Sequence, residues 1–514
     1  MTTNYDAPTP FNLSEHLLGD RVREGMGERI ALRLDDGTRT YAEVDALAGR
    51  FAHLLRDEGV RPEERVLVAL PDGEQFVGAL FGILRMGAVV VMVNPHLPEE
   101  MVRYFLEYTG ATAVVASGDT AGAFREVAKT TVRNASVLDL DTEDVRSRLA
   151  DAPDEFEPYP SHPDDAAIWL FSGGTTGKPK AVVQPHRSFA NTTELYGRRF
   201  LQMTRDDITL SVPKLYFGYA TGSNLFFPFA VGGSACLFSE RCTADALYAR
   251  IAQHRPTILI NVPTMIRNLL AHDAMADQDL TCLRLATSAG EALPVDLHAQ
   301  WDDAFGVELL DGLGTAEMWH VFLSNAIGDV RPGTLGRAVP GFDVEVRDPE
   351  GRPVAPDEVG ALWVRGDSRA VGYWQQRTKT RDTFRGEWVA LGDMVSMDAD
   401  GVVTYQGRSD DMLKVGGKWL SPKELEDCLG EHAAVQEVAV VGVAGADGLV
   451  VPNAFVVPTD SSTAGDELAT ELQAHARAHL EPYKYPRQVH FLDDMPRTHL
   501  GKIDRGKLSR RANS

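Results

Sequence analysis

The chain has 514 residues and is 44% hydrophobic, enough apolar material for several cores, and its length favours two to four domains. Its 74 acidic against 51 basic side chains leave a formal charge of −23, a surface that repels polyphosphate chains and argues against nucleic acid as a partner. No run approaches the ~20 apolar residues that span a bilayer, the first residues lack the basic-then-apolar order of a signal peptide, and four cysteines (Cys236, Cys242, Cys282, Cys428) form neither a disulfide framework nor a metal-ligand pattern, so a reduced cytoplasmic protein with no membrane partner is expected.

From about residue 11 to 165, apolar strand-like runs alternate with amphipathic helical stretches. A strand is predicted at 65–70, a turn at 71–73, a helix at 74–86 and a buried strand at 88–93, and this β-α-β order implies a parallel sheet with covering helices. The apolar run 166–171 leads into Ser172, Gly173, Gly174, Thr175, Thr176, Gly177, Lys178, Pro179 and Lys180, after which 181–183 is again β-prone. Glycines let the backbone approach an anion, hydroxyls add donors and lysines add charge. A P-loop would have glycine where Ser172 stands and a hydroxyl where Pro179 follows Lys178, so that match fails twice. This tract joins two strands and must hold phosphate without a helix dipole; a plain Gly/Ser/Thr-rich surface loop is the alternative. Lys178, Lys180 and Arg187 supply local positive charge for an anionic substrate. Strands at 208–212, 257–261 and 283–287, each followed by a helix-competent segment, make a second α/β lobe.

Between about 330 and 407 the texture becomes short strands (341–347, 360–365, 401–405) punctuated by Gly, Pro and Asp, a small antiparallel β unit. A polar lysine-bearing loop follows residue 411, then Ser421, Pro422 and Glu424 fall at the N-cap, N1 and N3 positions of a helix. Strands at 438–441 and 453–457 and a helix from 466 to about 480 complete a compact α+β module. The fold class is α/β: a large N-terminal domain, 1–408, of two α/β lobes (about 11–330) plus a barrel-like β unit (about 331–407), and a small C-terminal domain, 409–514.

Six stretches in chain order, 172–180, 288–294, 312–317, 391–394, 407–414 and 496–502, make the chain resemble the adenylate-forming superfamily of acyl-CoA synthetases, peptide-synthetase adenylation domains and luciferases over essentially its full length. Within it, 212–222 and 317–325 are most similar to benzoate-type aryl-CoA ligases. That resemblance implies ATP-dependent activation of a benzoate, or a hydroxy- or aminobenzoate, to an acyl-adenylate, then a CoA thioester, with Mg²⁺ as cofactor. A carboxylate is a poor acyl donor because its leaving group would be oxide, so AMP is attached first. Two anions must then meet, and catalysis is mainly charge neutralisation and alignment.

By this resemblance, 172–180 holds the pyrophosphate portion, with Ser172, Gly173, Gly174, Thr175, Thr176, Gly177 and Lys180 in contact. Gly290, Glu291, Ala292, Asp311, Gly312, Leu313 and Thr315 border the nucleotide, Asp393 and Arg408 hold the ribose hydroxyls, and Glu317 ligates Mg²⁺. Lys502 is the catalytic cation on the carboxylate and α-phosphate, and Asp410 is the hinge about which the small domain becomes mobile after adenylation. Gly416 and Gly417, which also suit a plain hairpin turn, would admit the pantetheine arm, and Lys414, Lys418 and Trp419 would meet the CoA nucleotide. Family members usually carry Thr directly before the motif glutamate and often an adenine-stacking Tyr; here Ala316 and Leu313 stand in those places.

Tyr216, Phe217 and Tyr219, with Gly218, Gly312 and Gly314, suggest a flat aromatic slot for the acid, Ala286 lines it, and Lys214 and His320 are its polar groups. Aromatic clusters also serve as plain core packing. A carrier protein or an amine competes with CoA as acceptor, a nucleotide sensor without turnover is a third reading, and the oligomeric state, a homodimer included, is left open.

Overall fold

The structure, a computed structural model, describes residues 5–131, 133–172, 178–409, 412–415, 418–444, 450–497 and 503–512. Gly173, Gly174, Thr175, Thr176, Gly177, Asp410, Gly416, Gly417 and Lys502 lie outside the described residues. The chain forms two compact units, one of Met1–Val344 and Val364–Val389, the other of Glu345–Trp363 and Ala390–Ser514. Among the described residues no helix is long and apolar enough to cross a membrane.

In the first unit, a seven-stranded sheet runs Gly372–Tyr373, Lys180–Pro185, Ala166–Ser172, Val89–Met92, Arg65–Ala69, Ala113–Ala116, Ser136–Asp139. The five strands from Ala166–Ser172 to Ser136–Asp139 pair in parallel, and the expected helix is formed as Glu74–Arg85. Both faces are covered, which is why these strands read as unbroken apolar runs. A nine-stranded sheet runs Arg337–Ala338, Val321–Ser324, Leu309–Gly314, Leu285–Ser288, Ile258–Asn261, Ile208–Ser211, Ser234–Cys236, Ile30–Leu34, Gly37–Thr40. The hairpin at its far edge comes from the chain's first forty residues and pairs parallel with Ser234–Cys236. That assignment is invisible to a local reading of a lobe.

The small β unit is built from Asp343–Arg347, Gly360–Arg365, Phe384–Arg385, Trp388–Met397 and Val403–Arg408, the last antiparallel to Trp388–Met397. In the second unit the sheet Val435–Ala444, Val450–Pro458, Gln488–Phe491 alternates its side chains between two cores. Val440, Ala454 and Val456 face the helices Pro422–Gly430 and Asp466–His479, while Ala439, Val441, Phe455 and Val457 face Leu508 of Arg505–Ala512. Ser421 caps its helix as expected, accepting from the Glu424 amide at 3.3 Å. The carboxylate of Glu424 takes Lys484 instead of closing a capping box.

Candidate active site

The strands Ala166–Ser172 and Lys180–Pro185 pair antiparallel with Ser172 opposite Lys180, so the ends of the predicted phosphate tract stand side by side, strand to strand. Gly372–Tyr373 adds to the outer edge of Lys180–Pro185. This places the Lys180 ammonium 4.0 Å from the centre of the Tyr373 ring and 3.5 Å from Glu317 Oε1. The Tyr373 hydroxyl donates to the same carboxylate oxygen at 2.7 Å. Glu317 is buried in the short turn Ala316–Met318, which Gln184 holds by donating to the Ala316 carbonyl at 2.6 Å. Burial pushes the Lys180 ammonium down to about 8, with Glu317 opposing the shift and Lys379 adding to it. Neither Tyr373 nor Gln184 stood out in the sequence, since an isolated Tyr or Gln carries no spacing signal. Of the three cations expected to gather here, Arg187 is engaged elsewhere, 2.8 Å from Asp164.

Leu285–Ser288 and Leu309–Gly314 run parallel with Ser288 opposite Asp311. Residues 289–292 therefore follow the carboxyl end of one strand and 312–315 form the last residues of its neighbour and the one after it, at the end of the sheet where open α/β folds bind ligands. Gly290 has φ +88°, a conformation glycine adopts without strain. Glu291 is exposed and accepts from Thr264 Oγ1 at 2.8 Å, Ala292 is half-buried, and Leu313 faces Leu323 across the neighbouring strand. Among the described residues, the buried hydroxyls of Ser172, Ser288 and Thr315 have no hydrogen-bond partner.

The aromatic slot differs from expectation in three respects. A Cβ on Gly314 would lie 2.5 Å from the His320 carbonyl oxygen, and one on Gly312 2.7 Å from that of Leu323. Both glycines are therefore demanded by the close approach of Val321–Ser324, rather than by room for a ring. Ala286 belongs to the core on the opposite face, with Leu259, Leu309 and Trp301. Because strand side chains alternate, Thr287 is the one on the slot side, where its hydroxyl shares a 2.7 Å hydrogen bond with Tyr219. Lys214 is committed to Phe238, donating to its carbonyl at 2.6 Å with the ammonium 3.5 Å from the ring centre. Tyr216 packs on the exposed Phe217 at 4.6 Å.

His320 keeps its expected place among aromatic rings: Phe227 at 4.8 Å, Tyr219 at 5.3 Å and Tyr196 at 5.6 Å. Its Nε2 lies 3.0 Å from the Tyr219 carbonyl and 3.1 Å from Ser223 Oγ. Burial pushes its imidazole down to about 4, so the ring is neutral at pH 7. A carbonyl only accepts, hence Nε2 carries the proton and Nδ1 is a bare acceptor, buried without a partner among the described residues. The preceding Trp319 has φ +61°, strain of about 1–3 kcal/mol that a ring cage including Phe189 at 4.5 Å holds in place. We expect Gly314→Ala to push on this turn, so that stability falls by about 1–3 kcal/mol, read from thermal melts. Unchanged melting would show that the strands can part freely.

In the second unit, Asp393 is directly opposite Arg408, whose Nη1 reaches both carboxylate oxygens at 3.1 and 3.0 Å. Asp393 is buried and Arg408 exposed, the arrangement of an acceptor braced by a cation. Leu413–Val415 and Lys418–Leu420 pair antiparallel with Lys414 opposite Trp419; the side chains of Lys414, Lys418 and Trp419 lie outside what is described.

Residues 20–374 match the AMP-binding enzyme family, and residues 424–502 its C-terminal domain. The chain belongs to the AMP-binding enzymes. It is 40% identical over 506 residues to the benzoate–CoA ligase of Thauera aromatica, covering 98% of this chain and 96% of that protein. It is 37% identical to a 4-hydroxybenzoate–CoA/benzoate–CoA ligase of Rhodopseudomonas palustris, over 96% and 93% of the two chains. The crystal structure of the anthranilate CoA ligase AuaEII with anthranoyl-AMP superposes with a TM-score of 0.92 at 34% identity, over 99% and 98% of the chains. The α/β fold with a separate small C-terminal module is the fold of these AMP-binding enzymes.

The residues present fit the ligands of an AMP-binding enzyme. Unpartnered buried hydroxyls at Ser172, Ser288 and Thr315 suit phosphate and nucleoside oxygens, and Thr315 supplies a hydroxyl one place before Ala316. Glu317 sets a buried carboxylate beside Lys180, at the end of the phosphate tract, an oxygen donor of the kind a hard cation such as Mg²⁺ takes.

Proposed function

We propose that this AMP-binding enzyme converts an aryl carboxylic acid to its CoA thioester, with ATP as activator and AMP and pyrophosphate as products. The observation that carries the aryl assignment is that one turn, 317–320, bears both the buried carboxylate of Glu317 and the neutral, ring-lined imidazole of His320. Phosphate chemistry and an aromatic acid are thereby supported three residues apart. The benzoate– and anthranilate–CoA ligase relatives support the same substrate class.

In the first half-reaction a carboxylate oxygen bonds to the α-phosphorus while the bond to pyrophosphate breaks. Lys180, held against Tyr373 and Glu317, supplies a cation at the end of the phosphate tract, and Lys502 is assigned to the carboxylate and α-phosphate. Glu317 would hold Mg²⁺, which when bound neutralises phosphate charge. Asp393, braced by Arg408, takes the ribose hydroxyls. In the second half-reaction the CoA thiol attacks the acyl carbon and AMP leaves, after rotation about Asp410 brings Lys414, Lys418 and Trp419 to the thiol's approach.

The bare Nδ1 of His320 favours an acid whose ring carries a hydroxyl or amine donor. An apolar slot rejects an added hydroxyl by only ~10²-fold, whereas one built to bond it rejects the plain ring by ~10⁴-fold or more. AMP and aryl-CoA formation measured across benzoate and its hydroxy and amino derivatives should give the two products in equal amounts, with donor-bearing acids preferred. Adenylate without thioester would point to a carrier protein or amine acceptor, and no AMP with any aryl acid would overturn the assignment.

A further inference from the structure

The second unit holds a group of ligating side chains that the adenylation chemistry does not use. Cys428 stands near the end of Pro422–Gly430, and His475 and His479 lie on Asp466–His479. Four-residue spacing sets the two imidazoles on one helix face, their centres 4.4 Å apart. The helices share a core through Leu425, Leu429, Leu468 and Leu472. That packing brings the thiol to the histidines, with ligand atoms of all three residues within 4.8 Å of one another.

Hydrogen bonding orients both rings. His475 Nε2 lies 3.0 Å from the Cys428 carbonyl, and His479 Nδ1 2.9 Å from the His475 carbonyl. Because carbonyls only accept, these nitrogens are protonated, leaving lone pairs on His475 Nδ1 and His479 Nε2. A metal-bound imidazole characteristically donates its other N–H to a carbonyl in just this way.

We propose that Cys428, His475 and His479 bind a zinc-class transition-metal dication, with water as the fourth ligand. A thiolate and two imidazoles are borderline-soft donors that select zinc or cobalt(II) over the oxygen-seeking Mg²⁺ of the reaction. The surroundings are acidic: Glu431, Glu424 and Asp427 all act electrostatically on Cys428, a field that attracts a cation. On binding, the sulfur–metal bond forms and the thiol proton passes to solvent. The ion would add a cross-link between two helices already joined by apolar packing and by the hydrogen bond from His475 to the Cys428 carbonyl.

The test is a cobalt(II) titration of the chelator-stripped full-length enzyme in excess Mg²⁺. One equivalent should bind with a sulfur-to-cobalt charge-transfer band in the near ultraviolet and tetrahedral visible bands, and zinc should displace it. Cys428→Ser should abolish the sulfur band. His479→Ala, at an exposed position, should weaken binding by ~10²-fold or more, beyond the cost of losing an outer-shell partner. A wild-type spectrum without the sulfur band, a band that survives in Cys428→Ser, or undiminished affinity in His479→Ala overturns the site. If Cys428→Ser does not fold, the His479→Ala titration decides.

Discussion

Lys502→Ala should slow adenylate formation by roughly 10²–10³-fold while leaving CoA attack on a supplied aryl-adenylate largely intact. The first half-reaction brings a carboxylate against a triphosphate, and two unit charges 4 Å apart at a surface-like dielectric interact by about 4 kcal/mol. Each 1.36 kcal/mol of barrier is tenfold in rate, so losing one aligned ammonium corresponds to that range. No such charge clash exists in the second half-reaction, where a thiol meets an acyl carbon. ATP–pyrophosphate exchange reads the first step, and thioester release from synthetic adenylate reads the second. Equal losses in both would make Lys502 a structural residue.

Glu317→Gln should lower pyrophosphate exchange by a comparable factor, roughly 10²–10³. The amide keeps the volume and an oxygen for the Tyr373 hydroxyl, so packing around the turn is retained and only the negative charge is lost. Lys180 then reports the change independently. Its ammonium sits at about 8, with Glu317 holding it up against burial. Its charge is present below that pKa and lost above it, so removing Glu317 moves the loss to lower pH. The alkaline limb of the residual exchange activity should shift downward accordingly. Wild-type exchange in Glu317→Gln, with an unmoved limb, would detach this carboxylate from the chemistry.

Much of the fold was legible because the signals are local. Unbroken apolar runs at 65–70, 88–93 and 166–171 become strands of a sheet covered on both faces, and Ser421 caps the helix its hydroxyl announced. The candidate site was legible less evenly. Lys180 and Glu317 sit in motifs and stand together; Tyr373, which hydrogen-bonds Glu317, sits in none. Lys214 read as a polar group of the acid slot, yet Phe238 takes it, a partner 24 residues away. Ala286 and Thr287 are indistinguishable in a buried strand until the sheet's two faces are known.

The chemistry class was carried by the chain alone, because anion-binding loops, caps and charged motifs require particular residues at short spacing whatever surrounds them. Packing alone decided which residues meet. Sheet order joins Ile30–Leu34 to Ser234–Cys236, and helix docking joins Cys428 to His475 and His479, pairs no spacing rule connects. Such contacts are selected by the apolar surface the whole chain can bury and by the loops it must close, quantities that belong to the assembled molecule and to no segment of it.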